Sequence, residues 1–322
     1  AADVATEADS IQLLPAGLAP YLVAVVAFPL LVRQGAMRWS IPLAVCLPIV
    51  LSPWLVPAED RLSRLLASIS AAIVAVKVID VWLDAKLRSA PTWQEYLAFL
   101  VNPFVHVRRC LSLERHPPWR ESLRRLVMGS FGCAIGIGLL VGLFSLDWKG
   151  WPFLVEHVSK VVAFMLAIIS GLTASAALWR LFGGRAREYM DQPFSAHTPA
   201  EFWRRYNRNM QQFLWQDVFK PAGGLRAPIR TTLFVFALSA LMHELIFSVA
   251  IGRVQGYQTA FFSVQGVAAA LTARVKAKGW TTIPWTAGTL VFNLTSSVLF
   301  FASINEVVPF YARALPKWLR GW

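Results

Sequence analysis

Charge is scarce in this chain. Only 15% of its 322 residues are Asp, Glu, Lys or Arg, against 56% hydrophobic, and the mean hydropathy is +0.51. Soluble domains carry about 25% charged residues, so the balance argues against a water-soluble globule. Cysteine is scarce as well. Cys46, Cys110 and Cys133 are scattered, no pair has metal-ligand spacing, and no disulfide framework follows. Strand-like alternation is missing, which argues against a membrane barrel. There is no internal repeat and no low-complexity linker, so a single domain over residues 1–322 is the simplest organisation. The first apolar segment lacks a basic n-region and a small-residue cleavage site. It reads as a spanning helix rather than a signal peptide.

Long apolar runs are what the chain does have. A membrane-spanning helix needs about 20 mostly apolar residues, and eight stretches approach that: roughly 13–32, 39–56, 65–83, 124–146, 153–179, 229–251, 257–273 and 282–302. In lipid only helices and closed barrels satisfy every backbone polar group. The expected fold is therefore an all-α, polytopic membrane protein.

The net charge of +13 raises the question of nucleic acid, and the placement of the charges answers it. With the acidic N-terminus (Asp3, Glu7, Asp9) set outside, the basic residues fall mostly in the alternate loops on the inside. These include Arg33 and Arg38, then Arg88, Arg108, Arg109 and Arg115, then Arg180 to Arg230, then Arg274, Lys276 and Lys278. The outside loops hold Arg61, Arg64, Lys149 and Arg253. This is the positive-inside asymmetry, and it accounts for the charge without a nucleic-acid partner. Two basic segments, about 84–123 and 180–228, then face the cytoplasm. A C-terminal tail with Arg313, Lys317 and Arg320 falls outside if 282–302 spans, which runs against the pattern.

Both inside segments hold helical signals. "PTWQEYLAFLVNPF" places Trp93, Tyr96, Leu97, Leu100 and Phe104 near a helical period, as an interfacial or re-entrant helix would. In "HTPAEFWRRYNRNMQQFLWQDVFKPAGG", Thr198, Pro199 and Glu201 read as a capping box. One helix is expected from there to Pro221 and the Gly223–Gly224 pair, with Phe202, Trp203, Tyr206, Met210, Phe213, Leu214 and Val218 as its apolar stripe. A plain interfacial anchor accounts for the stripe. It leaves Asn207 unexplained, because that carboxamide has apolar neighbours.

His243 is the one histidine deep inside an expected span. His157 lies near the outer end of another, and His106, His116 and His197 lie in loops. Ionisable groups inside a membrane are functional hypotheses by default. A neutral imidazole there can accept a proton from a hydroxyl. Ser239 shares its helix face. Glu244 is rotated by about 100° and can pair with a cation on another helix. A satisfied structural histidine is the main rival. A haem ligand or a metal site is weaker for want of partners at matching depth. Lys77 and Asp80 read as a structural pair or a snorkelling lysine, and Glu156, His157 and Lys160 as a solvated turn.

Together two segments resemble the membrane-bound O-acyltransferase family. "FWRRYNRNMQQFLWQDVFKPAGG" is similar to its first signature and "LSALMHELIF" to its second. Asn207 and His243 stand 36 residues apart, near the family's usual spacing, and the likeness covers 193–252. Asn207 and "SALMHE" resemble the wax synthase, sterol and diacylglycerol acyltransferase branch. "FLWQDVFKPAGG" resembles the bacterial polysaccharide O-acetylating branch.

The resemblance implies about eight or nine transmembrane helices, with interfacial helices, around a reaction chamber. It implies transfer of an acyl group from acyl-CoA, as co-substrate and without a further cofactor or metal, to the hydroxyl of a lipophilic acceptor. An extracytoplasmic polysaccharide acceptor is the alternative, and a non-enzymatic transporter the second. His243 and Asn207 are the implied catalytic residues, with Trp203, Arg204, Arg205, Tyr206, Arg208, Met210, Ser239 and Glu244 around the substrates. Arg204, Arg205 and Arg208 can meet the phosphates of coenzyme A. The expected location is a bacterial inner membrane, or else the endoplasmic reticulum, with membrane lipids as neighbours.

Overall fold

All eight apolar stretches fold as helices, as backbone groups without water require. A computed structural model describes residues 2–33, 39–87, 89–109 and 117–319, without the side chains of 2–16, 87 and 318. Arg38, Arg88, Cys110, Arg115, His116 and Arg320 lie outside the described residues, as do the side chains of Asp3, Glu7 and Asp9. The helices are α1 (Ala2–Val32), α2 (Ser40–Leu51), α3 (Arg61–Leu87), α4 (Trp93–Val101), α5 (Trp119–Ser145) and α6 (Phe153–Leu181). They continue as α7 (Pro199–Arg205), α8 (Arg208–Phe213), α9 (Pro228–Ile251), α10 (Tyr257–Thr272) and α11 (Thr282–Val307).

Five segments are long and apolar enough to cross a membrane: Arg61–Lys86, Trp119–Ser145, Phe153–Leu181, Pro228–Ile251 and Gly279–Val307. The apolar parts of α1 and α2 are shorter. The 16 residues of α10 rise about 24 Å, less than the hydrocarbon thickness.

Two packed groups make the bundle. In one, α1 to α4 interlock through Leu31, Ile49, Val74, Val78, Tyr96 and Phe99, and the Tyr96 hydroxyl donates to the Ala24 carbonyl at 2.7 Å. In the other, Phe261, Phe262, Phe300 and Phe301 join α10 and α11 to α9 and α6. α3 packs on α9 and ties the groups together. α5 lies chiefly along α6, where glycines allow backbone approach. A Cβ on Gly136 would sit 2.4 Å from the Ala167 nitrogen, and one on Gly129 would sit 2.8 Å from the Ser170 carbonyl oxygen.

The intramembrane charges are bound more deeply than the sequence implies. Lys77 is 1% exposed and does not pair with Asp80. Its ammonium donates to the carbonyls of Phe99, Leu100 and Asn102, closing the end of α4. Asp80 accepts from the Arg108 backbone N–H at 2.7 Å and from Arg109 at 3.0 Å. Glu156, His157 and Lys160 are not a solvated turn but buried at 0–1% exposure. The Lys160 ammonium donates to Glu156 at 2.7 Å and to the Phe310 carbonyl at 2.8 Å, and Glu156 accepts from the Ala312 N–H at 2.6 Å. Tyr311 bonds His157 Nδ1 at 2.7 Å. A strap over 308–319 supplies these partners, which sequence periodicity around residue 157 cannot reveal.

The same strap ties the end of α11 to neighbouring loops. Arg313 donates to the Trp148 and Trp151 carbonyls, while Arg61 and Arg253 both reach Glu306. The three loops read as outside, around Arg61, Lys149 and Arg253, therefore gather at one end with the strap, and α11 runs to it. At the other end Asn102 donates to Arg185, Tyr189 to Pro103, and His197 bonds Thr286.

Gly136→Ile should force α5 off α6 and cost about 1–3 kcal/mol, read as a lowered Tm of the purified protein. Gly138→Ile adds the same atoms where nothing lies within 4 Å and should leave Tm in place.

Candidate active site

The surface segment is built differently from the single helix that its stripe implies. Thr198 caps α7 by accepting from the Glu201 N–H at 3.1 Å, but the Glu201 carboxylate takes the His197 N–H at 2.8 Å, so no reciprocal box forms. α7 ends at Arg205. Tyr206 is extended, and Asn207 adopts left-handed backbone at φ 44° and ψ 61°. Asn is one of the few residues that tolerates this region. Helix periodicity is blind to such a break, because the apolar residues keep their spacing across it. Two backbone bonds stitch the break to the preceding loop: Asp191 N–H to the Arg205 carbonyl at 2.9 Å, and Arg208 N–H to that of Tyr189 at 2.7 Å.

The break determines what Asn207 offers. Its Oδ1 accepts from the Met210 N–H at 3.3 Å and caps α8. The amide nitrogen is thereby left as a donor. After α8 the chain makes a π-helical turn, Leu214–Phe219, in which Trp215 stacks on Phe219. Asp217 of this turn and Asp80 of α3 both bind the guanidinium of Arg109. Burial raises the pKa of the Asp217 carboxyl, and the Arg109 charge pulls it back.

His243 lies on α9, and its Nδ1 is 2.8 Å from the Ser239 carbonyl oxygen. A carbonyl can only accept, so Nδ1 must carry the proton and Nε2 the lone pair. The ring rests on Phe262 with centroids 4.2 Å apart. Both His243 and Asn207 line a cavity of about 600 Å³, within the range of a small-molecule site. Its walls are largely aromatic and aliphatic: Trp203, Tyr206, Met210, Phe236, Phe261, Phe262, Phe300 and Phe301 among them.

Of the residues expected around the substrates, Trp203, Arg204, Tyr206, Met210 and Ser239 line this cavity. Three do not. Arg205 is turned to Glu201 at 2.6 Å and to the Ser195 hydroxyl at 2.5 Å. Arg208 enters through its backbone bond to Tyr189 and is absent from the lining. Among the described residues Glu244 meets no cation. Its carboxylate accepts from the backbone N–H groups of Gln255, Gly256 and Thr259 at 2.7–3.0 Å and from the Thr259 hydroxyl, so it caps α10. That fits the partial positive charge of a helix start.

Residues 125–303 match the family model described as MBOAT, membrane-bound O-acyltransferase family. The chain belongs to that family. It is an enzyme, a membrane-embedded O-acyltransferase with several apolar helices. Compared with curated proteins one at a time, the chain matches none. The matched stretch holds the acyltransferase's cavity walls from α6 to α11.

Sequence reasoning missed several of those walls. Arg274, Gln265, Asn293 and Ser297 line the cavity but lie outside both signatures. A scan for uncharged carboxamides inside the spans "FFSVQGVAAA" and "LVFNLTSSV" would have found Gln265 and Asn293. A scan for charge passes over them.

Asn207→Gly should keep the stability of the acyltransferase, because glycine takes left-handed backbone freely. Asn207→Ala should lower it by about 1–2 kcal/mol. Thermal unfolding of the two purified variants checks the difference.

Proposed function

We propose that the protein transfers an acyl group from acyl-CoA to the hydroxyl of a lipophilic acceptor, a fatty alcohol, acylglycerol or sterol-like compound. The observation that carries this reading is the committed tautomer of His243 inside an aromatic cavity. With Nδ1–H held by Ser239, Nε2 takes the acceptor's hydroxyl proton. The alkoxide oxygen attacks the thioester carbonyl, and the Asn207 amide donates to the oxygen that becomes negative. Collapse of that intermediate expels the coenzyme A thiolate, which recovers the proton from His243, leaving ester and free coenzyme A.

The apolar lining favours a lipophilic acceptor. The cavity walls Val161, Leu294 and Phe301 are packed against Phe310 and Tyr311 of the strap, so apolar side chains back the wall at that end. The likeness of "FLWQDVFKPAGG" to polysaccharide-modifying members is the one feature on the other side.

Two arginines on the cavity lining suit the donor. Arg204 and Arg274 are exposed and have no acidic partner among the described residues. They stand at the end rich in basic loops, which the charge asymmetry assigns to the cytoplasm, where acyl-CoA is found. Arg205, engaged with Glu201, is replaced in this role by Arg274.

His243→Ala should lower coenzyme A release from acyl-CoA and an alcohol panel by about 10²–10⁴-fold in otherwise intact protein. Retention of more than about a tenth of wild-type turnover would sink the base assignment. Joint charge reversal of Arg204 and Arg274 should raise the donor KM about tenfold or more, while Arg205→Glu should lower Tm with little change in that KM. Identical donor kinetics in all three variants would leave the arginines to lipid and topology alone.

A further inference from the structure

The cavity wall contains a chain of neutral hydrogen bonds whose direction is fixed at one end. The Trp203 indole N–H can only donate, and it donates to Gln265 Oε1 at 2.9 Å. That turns the amide nitrogen of Gln265 the other way, toward the Ser296 hydroxyl at 2.9 Å and Asn293 Oδ1 at 3.3 Å. That leaves the amide nitrogen of Asn293 turned away from Gln265. That nitrogen is buried and has no partner, alone among the buried polar atoms of the described cavity-lining residues. One turn along α11, Ser297 is satisfied, with its hydroxyl on the Leu294 carbonyl and His157 at 3.1 Å.

A buried, unpaired amide on a residue that lines a largely apolar cavity is costly unless something occupies it. We infer that Asn293 donates to a second oxygen of the acceptor, so that the preferred acceptor carries a hydroxyl, ether or ester oxygen besides the hydroxyl that is acylated. Trp203 and Gln265 are positioning residues in this scheme, because they orient the Asn293 amide without meeting the substrate through it. A plain long-chain alcohol fills the same apolar volume and leaves the donor unmet. The inference rests on the acyl-transfer reading above, and it adds the chemical class of the acceptor. The thioester carbonyl is the competing source of an oxygen for Asn293, and acceptor pairs tell the two apart.

The test measures coenzyme A release by the purified wild-type protein from hexadecanoyl-CoA and, in parallel, acetyl-CoA. The acceptors are 1-hexadecanol, hexadecane-1,2-diol and 2-(tridecyloxy)ethanol, all of one length. At least one two-oxygen acceptor should exceed 1-hexadecanol in kcat/KM by about tenfold or more. In Asn293→Leu that preference should shrink by about tenfold, and in Trp203→Phe, which keeps a ring and loses the N–H, it should shrink by a smaller factor. Equal kcat/KM for all three acceptors in the wild type overturns the inference whether or not the variants fold. So does an Asn293→Leu variant that loses the same factor on every acceptor, which assigns the amide to the thioester or to structure. Absence of coenzyme A release with every alcohol instead defeats the acyl-transfer reading and this inference with it.

Discussion

The guanidinium of Arg109, held between Asp80 and Asp217, is the contact on which the rest of the site depends. Asp80 belongs to a transmembrane helix and Asp217 to the surface segment that carries Asn207. One buried cation therefore fixes the segment against the bundle. Breaking such a network leaves an uncompensated charge in a weakly polar interior, which typically costs about 3–5 kcal/mol. The π-helical turn around Asp217 follows from the same need, since it brings the carboxylate to Arg109 while Trp215 and Phe219 stack on each other. The charges that tie the segment to the bundle thus lie outside the cavity lining.

Much of this organisation was legible in the sequence, and the reasons are particular. Composition alone gave a helical membrane protein, because lipid tolerates so few alternatives. The distribution of Arg61, Lys149 and Arg253 against the basic loops separated the two ends, and contacts to Glu306 and Trp148 bring those loops together at one of them. His243 stood out because no other histidine lies so far inside an apolar run. What stayed hidden were features that depend on distant partners. No local pattern shows that Lys77 closes α4, that Glu244 caps α10, or that Glu156 and Lys160 are sheltered by a strap about 150 residues away. The left-handed Asn207 was hidden for another reason, since it interrupts a stripe without disturbing its spacing.

Inside the cavity, the hydrogen bonds run between groups without charge. A carbonyl selects the tautomer of His243, and an indole selects the orientation of two carboxamides. Donor-only and acceptor-only groups act as fixed points from which the direction of each neighbouring bond follows. Such chains suit a low-dielectric chamber, because each hydrogen bond is stronger there and none carries the solvation penalty of an ion. Charge is kept to the rim at Arg204 and Arg274, where water remains available.

The strap over residues 308–319 has a further effect. With Phe310, Tyr311, Leu315 and Leu319 buried against α6, α10 and α11, the strap packs behind the cavity walls Val161 and Phe301. Those walls therefore rest on a segment about 150 residues from α6 in sequence, and the hydrogen bonds of Lys160 and Glu156 hold it there.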